Sequence, residues 1–314
     1  MLNNIPKHVI TIKNKFEEAG YEIYLVGGCV RDLLLNRVVK DWDFTTSATP
    51  EQMLALFPNA FYNNDFGTVG IPLPELEETE HQGVIEVTTY RTEHGYTDRR
   101  HPEKVEWGKT VEEDLSRRDF TINAIAIKIP PAPFLKGEHL SPLVKGGDPQ
   151  AGGFTIIDPF HGRDDLNAKL IRAVGDPEQR FKEDALRLMR AIRFATQIGF
   201  GIEEQTMKAI INDASLLKEI SQERIRDELM KILASDYPYE GIMLLKNTNL
   251  LNHIIPELLE GIGISQARPG RHHKDDVFTH NVLSLKYCPS TDPVVRFATL
   301  IHDIGKSRVA GKDE

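Results

Sequence analysis

Residues 25–46, LVGGCVRDLLLNRVVKDWDFTT, constrain the fold of this chain more than any other segment. They begin inside a short apolar run, residues 23–26, of the kind that forms a buried strand. The glycine pair Gly27 and Gly28 comes next. Apolar residues then recur at the spacing of one helix face, at Val30, Leu33 and Leu34. The pattern predicts a buried strand, a tight glycine turn and a helix.

Two carboxylates follow this unit at Asp41 and Asp43. On an extended strand they share one face, with Trp42 turned to the other side. Two ionised acids at this distance repel each other, and a divalent cation held between them relieves the repulsion. Hard oxygen ligands of this kind suit Mg²⁺. Glu86, in a second predicted strand, adds a third carboxylate to this metal site, or else it is a strand-end acid in solvent.

The same region offers groups that bind phosphate. A turn made of Gly27 and Gly28 lets backbone N–H groups approach phosphate oxygens at a helix start. Arg31 lies one turn further on, and Arg117 and Arg118 can bind phosphate in a bidentate manner. A glycine pair alone more often marks only a tight turn. Together with the two acids it predicts a magnesium-dependent, nucleotide-binding enzyme.

Composition places the chain among ordinary soluble proteins. Its 314 residues are 40% apolar and 27% charged, enough for two or three compact units, and no apolar run approaches the length of a membrane span. We therefore expect a cytoplasmic protein without a membrane partner. The two cysteines, Cys29 and Cys288, indicate neither a disulfide framework nor a cysteine metal site. The net charge of −9 argues against nucleic-acid binding, but five of the fourteen residues from Arg180 to Arg193 are basic, which predicts a local RNA-binding strip.

Five motifs identify the family that this sequence resembles. In chain order they are LVGGCVRDLLLNRVVKDWDFTT, EVTTYRTE, EEDLSRRDFTINAIAI, the long segment IIDPFHGRDDLNAKLIRAVGDPEQRFKEDALRLMRAIRFA, and ERIRDELMKIL. Their order and spacing closely resemble the bacterial class II tRNA nucleotidyltransferases, which comprise CCA-adding enzymes and their poly(A) polymerase relatives.

The resemblance implies an α+β fold. We expect a nucleotidyltransferase head at 1–163 with a mixed sheet of about five strands, followed by an all-helical neck at 164–225 for base and RNA recognition. A helical body is expected at 226–265 and a partial helical segment at 266–314. Residues 130–153 are rich in Pro and Gly and are predicted to form a disordered insertion in the head.

The resemblance also implies an activity, which is the template-independent addition of CCA to tRNA 3′ ends from CTP and ATP. The terminal 3′-hydroxyl attacks the α-phosphate, with Asp41 and Asp43 as catalytic residues and Asp41, Asp43 and Glu86 as Mg²⁺ ligands. A phosphate-binding or turn role falls to Gly27 and Arg117. Nucleotide binding falls to Gly28, Arg31, Arg118, Asp119, Asn123, Asp184, Arg187 and Arg190.

Asp184 and Arg187 lie in a segment with helical spacing. Arg180, Glu183, Asp184, Arg187 and Arg190 fall on one arc of the predicted helix, opposite an apolar arc. The pattern alone favours a solvated face braced by ion pairs. The resemblance instead implies that Asp184 and Arg187 pair with the Watson–Crick edge of the incoming base, so that protein groups act as the template.

The C-terminal region leaves other activities open. His280, His302 and Asp303 match the first two elements of an HD-type phosphohydrolase domain, but the chain ends at Glu314 before the final Asp of such a site. We expect a remnant of that domain, with HD phosphohydrolase activity as the alternative. A non-catalytic RNA-binding fragment is a further alternative. Residues 91–116 match a segment associated with full CCA addition, while CC-only, A-only and poly(A) addition stay open.

Overall fold

The computed structural model describes residues 5–62, 67–73, 83–96, 102–130, 154–265 and 275–309, with the backbone alone at 93–96 and 102–105. The described residues form two compact units. The head unit comes mainly from the chain up to Gly175, and the helical unit comes from Lys169–Ile171 and from Asp176 onward. The predicted insertion at 130–153 lies outside the described residues, apart from its first residue.

The head unit is built on a mixed sheet. In the described part of the chain this sheet has seven strands in the order β3-β4-β5-β2-β1-β8-β9, and a separate two-stranded sheet pairs β6 with β7. The elements up to Ala168 are α1 (Lys7–Glu18), β1 (Ile23–Val26), α2 (Gly28–Leu34), β2 (Asp43–Thr46), α3 (Pro50–Leu56), β3 (Phe61–Tyr62), β4 (Thr68–Pro72), β5 (Val84–Thr89), β6 (Arg91–Tyr96), β7 (Pro102–Trp107), α4 (Val111–Ser116), a 3₁₀ turn (Thr121–Asn123), β8 (Ala126–Lys128), β9 (Thr155–Ile157) and α5 (Gly162–Ala168).

The sheet confirms the predicted α+β class but has more strands than the five expected. β1 is the strand predicted at 23–26, and all four of its residues are buried. β2 runs antiparallel to β1 and parallel to β5, which makes the sheet mixed. β3 has only two residues, both exposed, so the sequence holds no alternation that would reveal it.

The helical unit follows from amphipathic sequence patterns. α9 (Gln222–Leu233) contains the whole ERIRDELMKIL motif, with Ile225, Leu229 and Ile232 buried. Its elements are β10 (Leu170–Ile171), α6 (Pro177–Glu183), α7 (Leu186–Ile198), β11 (Gly201–Ile202), α8 (Glu204–Asp213), a 3₁₀ helix (Ala214–Glu219), α9 (Gln222–Leu233), α10 (Pro238–Asn247), α11 (Leu251–Ile254), α12 (Pro256–Leu259), α13 (Val277–Lys286), α14 (Pro293–Ile301) and α15 (Lys306–Val309). None of the helices within the described ranges is long and apolar enough to cross a membrane.

Candidate functional site

The turn between β1 and α2 lies close to the side chains of Arg118 and Asp43, which are two of the predicted site residues. Gly27 has φ 74° and ψ −137°, a conformation that favours glycine. A Cβ at Gly27 would lie 3.0 Å from Arg118 Nη1 and 3.8 Å from Asp43 Oδ2. The absence of a side chain at this position therefore lets the guanidinium and the carboxylate come close to the turn.

The two aspartates do not share one strand, contrary to the sequence prediction. β2 begins at Asp43, whereas Asp41 precedes the strand and is exposed. The β2 ladder to β1 and β5 starts only at Asp43, so the alternation rule does not extend back to Asp41. Asp43 is instead the direct neighbour of Glu86 across the parallel β2–β5 pair, which places these two acids on the same face of the sheet.

The carboxyl of Asp43 has a raised pKa. Burial raises the pKa of Asp43 to about 6, and the charges of Glu86 and Asp41 raise it too, while the nearby Arg118 guanidinium acts in the opposite direction. Asp41 and Glu86 are exposed, so Asp43 alone of these three acids lies partly shielded from solvent. The ligand atoms of Asp41, Asp43 and Glu86 do not all lie within 4.8 Å of one another. In the described residues, the one group of three that meets this distance consists of His280, His302 and Asp303.

A buried acid orients the two adjacent arginines. The Asp114 side chain has no solvent exposure. It accepts hydrogen bonds from Arg117 Nη2 at 2.6 Å and from Arg118 Nη2 at 3.0 Å. Burial alone would raise the pKa of Asp114, but the two guanidiniums outweigh that effect and hold the pKa below its ordinary value. The sequence analysis did not select Asp114, although its spacing of three and four residues to the arginines was visible.

Three further predicted residues form a single hydrogen-bonded network. Arg31 Nη1 donates to Asn123 Oδ1 at 3.0 Å, and Asn123 Nδ2 donates to Asp119 Oδ1 at 3.3 Å. The same Asp119 oxygen accepts the backbone N–H of Phe120. Arg31 also forms a bidentate pair with Asp32, a residue that the sequence analysis did not select. The structure thus joins α2 to the 3₁₀ turn through side chains expected to bind the nucleotide.

Asp184 and Arg187 lie in the helical unit, where the predicted continuous helix is wrong. α6 ends at Glu183 and α7 begins at Leu186, with Asp184 extended at φ −140° and ψ 104°. Arg187 Nη1 donates to Glu183 Oε2 at 2.7 Å, which is an ion pair of the kind that the pattern favoured, but the two side chains are only 11% and 15% exposed and the face is not solvated there. Arg190 lies over the ring of Phe194 at 5.4 Å.

Two groups donate hydrogen bonds to the Asp184 carboxylate. Its Oδ1 accepts the backbone N–H of Leu186, and its Oδ2 accepts Arg224 Nη2, each at 3.0 Å. Arg224 lies in α9, forty residues away in sequence. The sequence analysis missed this arginine because only the packing of α9 against α7 brings the two side chains together.

His280, His302 and Asp303 lie together, as their match to one motif predicted. His280 Nε2 is 3.2 Å from His302 Nε2, and Asp303 Oδ2 lies 3.4 Å and 3.5 Å from these two nitrogens. Lys306 Nζ lies 2.5 Å from the same carboxylate oxygen. Partial burial acts to raise the pKa of Asp303, but Lys306 and the two imidazoles hold it below its ordinary value. A lysine ammonium thus lies at the oxygen that faces both imidazoles.

Two family models match this chain. Residues 23–172 match the poly A polymerase head domain, and residues 199–261 match a model described as the probable RNA and SrmB-binding site of polymerase A. The first contains the glycine turn, the acids Asp43 and Glu86, and the network around Arg31. The second contains α9 with Arg224.

Known proteins are similar over most of the chain. A CCA-adding enzyme of Geobacillus thermodenitrificans (strain NG80-2) is 42% identical over 256 residues, which cover 81% of this chain and 55% of that protein. A crystal structure of the Bacillus stearothermophilus CCA-adding enzyme in complex with CTP has a TM-score of 0.68 at 33% identity, covering 94% of this chain and 62% of that one. A tRNA nucleotidyltransferase complexed with a primer tRNA and an incoming ATP analogue has a TM-score of 0.62 at 27% identity, covering 93% and 75%. The chain spans about half the length of the curated relatives it matches.

Proposed function

Because this chain belongs to the poly(A) polymerase head-domain family, we propose that it is a template-independent RNA nucleotidyltransferase that adds CCA to tRNA 3′ ends. The observation that carries the proposal is the glycine turn with Asp43 and Arg118 close above it, inside the matched head domain. The nucleotides named in similar structures are CTP and an ATP analogue, and one of these structures holds a primer tRNA. We take CTP, ATP and tRNA as the substrates, with the reaction in the cytoplasm.

The acids of the head unit fit a divalent cation, for which Mg²⁺ is the proposed ion. Asp43 is a half-buried carboxylate whose pKa is raised to about 6, and Glu86 is its direct neighbour across the sheet. Such a concentration of charge on hard oxygen atoms is relieved by a bound divalent ion. Asp41, Asp43 and Glu86 would hold the ion. When bound, Mg²⁺ supplies charge stabilisation for the phosphates and activation of the hydroxyl.

The chain's own residues then bind and orient the reactants. The reaction is attack of the RNA 3′-hydroxyl on the α-phosphate, with pyrophosphate as the leaving group. Gly27 leaves room for phosphate oxygens beside Arg118 Nη1, and Asp114 holds Arg118 and Arg117 in fixed orientations. Arg31 is oriented by Asp32 and Asn123. In the helical unit, we assign the pairing with the base to Asp184 and Arg187.

The activity is tested with tRNA that lacks its last three nucleotides. The purified chain is incubated with Mg²⁺ and this RNA, with CTP and ATP supplied separately and together, and the products are sequenced. We expect addition of CCA that then stops, and loss of addition in Asp43→Ala and Asp41→Ala with RNA binding retained. Glu112→Gln, an exposed acid in α4, is the matched control and keeps activity.

Other products would assign the chain to other members of the family. CC alone, A alone or a long A tail would each identify the matching relative. Intact RNA binding without any incorporation would support the non-catalytic alternative. The same assay thus separates the nucleotide-adding activities that the sequence left open from one another and from the non-catalytic alternative.

A second candidate function is metal-dependent phosphohydrolysis in the helical unit. The observation that favours it is the cluster of His280, His302 and Asp303, with ligand atoms 3.2–3.5 Å apart. Lys306 opposes it, because its ammonium already neutralises Asp303. Hydrolysis of p-nitrophenyl phosphate with added Mn²⁺ or Ni²⁺, abolished by His302→Ala, would establish this activity. No hydrolysis by the wild type or by Lys306→Met would exclude it.

A further inference from the structure

We infer that Arg224 is a positioning residue that determines base specificity by fixing the Asp184 carboxylate. The inference rests on the proposed function, in which Asp184 pairs with the base. It goes further by assigning selection against guanine and uracil to a residue on a different helix. Arg224 would act through Asp184 and would not touch the nucleotide.

The contact between the two side chains is charge-assisted and shielded from solvent. Arg224 Nη2 lies 3.0 Å from Asp184 Oδ2, and the side chains are only 24% and 19% exposed. In the described part of the chain, Arg224 Nη1 is buried without a hydrogen-bond partner. Asp184 is thus the partner that holds the guanidinium. Charge-assisted hydrogen bonds in such surroundings are shorter and stronger than those between neutral groups.

Asp184 needs such a partner because it lies outside regular structure. It occupies the extended break between α6 and α7, where its backbone carbonyl accepts the N–H of Arg187 but its side chain projects from a residue outside either helix. The backbone N–H of Leu186 holds Oδ1, and Arg224 holds Oδ2. With both oxygens held, rotation of the carboxylate about its Cβ–Cγ bond is restricted. The plane of the carboxylate, and therefore the direction of its remaining lone pairs, is set by Arg224.

The remaining lone pairs select the base. An ionised carboxylate has about four acceptor sites and no donor, and the two protein donors use one site on each oxygen. The base edge that meets Asp184 must therefore present a donor. Cytosine and adenine do so with their exocyclic amino groups, whereas guanine O6 and uracil O4 are acceptors. A carboxylate held opposite the position of cytosine N4 or adenine N6 accepts CTP and ATP and repels O4 of UTP and O6 of GTP, whereas a carboxylate free to rotate could accept the N3–H of uracil or the N1–H of guanine.

α9 supplies a matched control one turn further along. Glu228 lies four residues after Arg224 on the same helix, and it pairs with Arg193 of α7 at 3.1 Å. The Glu228 pair therefore links α9 to α7 and the Arg224 pair links α9 to the break before α7, but only Arg224 contacts a residue assigned to the base. Loss of either pair weakens the helix packing, and only loss of the Arg224 pair frees Asp184.

The test compares Arg224→Met, Arg224→Lys and Glu228→Gln with the wild type. We expect Arg224→Met to raise KM for CTP and to raise the UTP-to-CTP incorporation ratio, each about tenfold or more. Arg224→Lys keeps the charge and should restore part of the selectivity. Glu228→Gln should lower Tm while leaving the UTP-to-CTP ratio unchanged. Circular dichroism shows whether each variant is folded. If Arg224→Met does not fold, the UTP-to-CTP ratio of Arg224→Lys tests the inference instead.

Two results would overturn the inference. One is an unchanged ratio in folded Arg224→Met, and the other is an equal rise in Glu228→Gln. A wild-type chain that incorporates no nucleotide contradicts the proposed function instead. Equilibrium binding of CTP and UTP then decides the inference, which fails if Arg224→Met does not reduce the preference for CTP or if the wild type has none.

Discussion

Asp43 bears a charge that the folded head unit disfavours. Burial and the neighbouring acids raise its pKa to about 6, so between pH 4 and 6 the folded chain binds more protons than the unfolded chain, and stability falls as pH rises. Asp43→Asn should therefore increase the free energy of unfolding at pH 7 without divalent metal while abolishing incorporation. Urea unfolding measures this gain, which should vanish near pH 4. Added Mg²⁺ should stabilise the wild type more than the variant. A variant less stable than the wild type at pH 7 would contradict the assigned environment.

The protonation of Asp114 affects the free energy of unfolding in the opposite direction from that of Asp43. Its pKa lies below the ordinary value of 3.8 because of Arg117 and Arg118, so its stabilising contribution is present above pH 3.8 and is lost as pH falls further. Asp114→Asn should lower the free energy of unfolding at pH 7 by about 3 kcal/mol, since two partly buried guanidiniums lose their charged partner. Urea unfolding at pH 7 and pH 3 should show this difference shrinking in acid. Glu113→Gln, which leaves Asp114 intact, should not reproduce the pH dependence.

At the residue scale, sequence reasoning found the motif residues but not their supports. Asp43, Arg118 and Asn123 belong to recognisable motifs, and the head unit brings each into a defined network. Asp114 was visible beside the arginines, but its complete burial cannot be read from spacing alone. Arg224 had no local pattern to reveal it, because its partner lies forty residues away.

At the element scale, Gly241 permits the close approach of α10 to its neighbours. A Cβ there would lie 2.5 Å from Ile232 Cγ2 of α9 and 3.0 Å from Thr196 Cγ2 of α7. Gly241→Ala gains about 1 kcal/mol of helix propensity, but overpacking should cost more, for a net loss of about 1–2 kcal/mol. Thermal unfolding measures the loss. Glu240→Ala, an exposed change on the same helix, should be nearly neutral.

Element boundaries show where periodicity stops being informative. The apolar run predicted β1 to the residue, because all four of its residues are buried. The same argument failed at Asp184, where the helical spacing continues across a break in the backbone. Spacing records which residues can share a face, whereas the break depends on tertiary contacts, among them the bond from Arg224.

At the scale of the whole molecule, the net charge of −9 makes the proposed RNA binding depend on local basic groups. Sequence clustering suggested five such groups between Arg180 and Arg193. In the structure Arg180 and Arg187 both bond to Glu183, and Arg193 pairs with Glu228. These ion pairs neutralise much of the strip. Lys182 differs from these three arginines, because it is 54% exposed and its pair with Glu178 lies at the surface, where ion pairs are weak.

We therefore expect Lys182 to contribute more to tRNA binding than its buried neighbours. Lys182→Gln should make the slope of log K against log salt less negative by about 1, the change for one lost phosphate contact. Arg180→Gln removes the same charge from a guanidinium held by Glu183 and should leave the slope unchanged. Binding titrations between 50 and 200 mM KCl measure both. Equal changes in the two variants would mean that RNA displaces Glu183 from Arg180, and the whole strip would then be the binding surface.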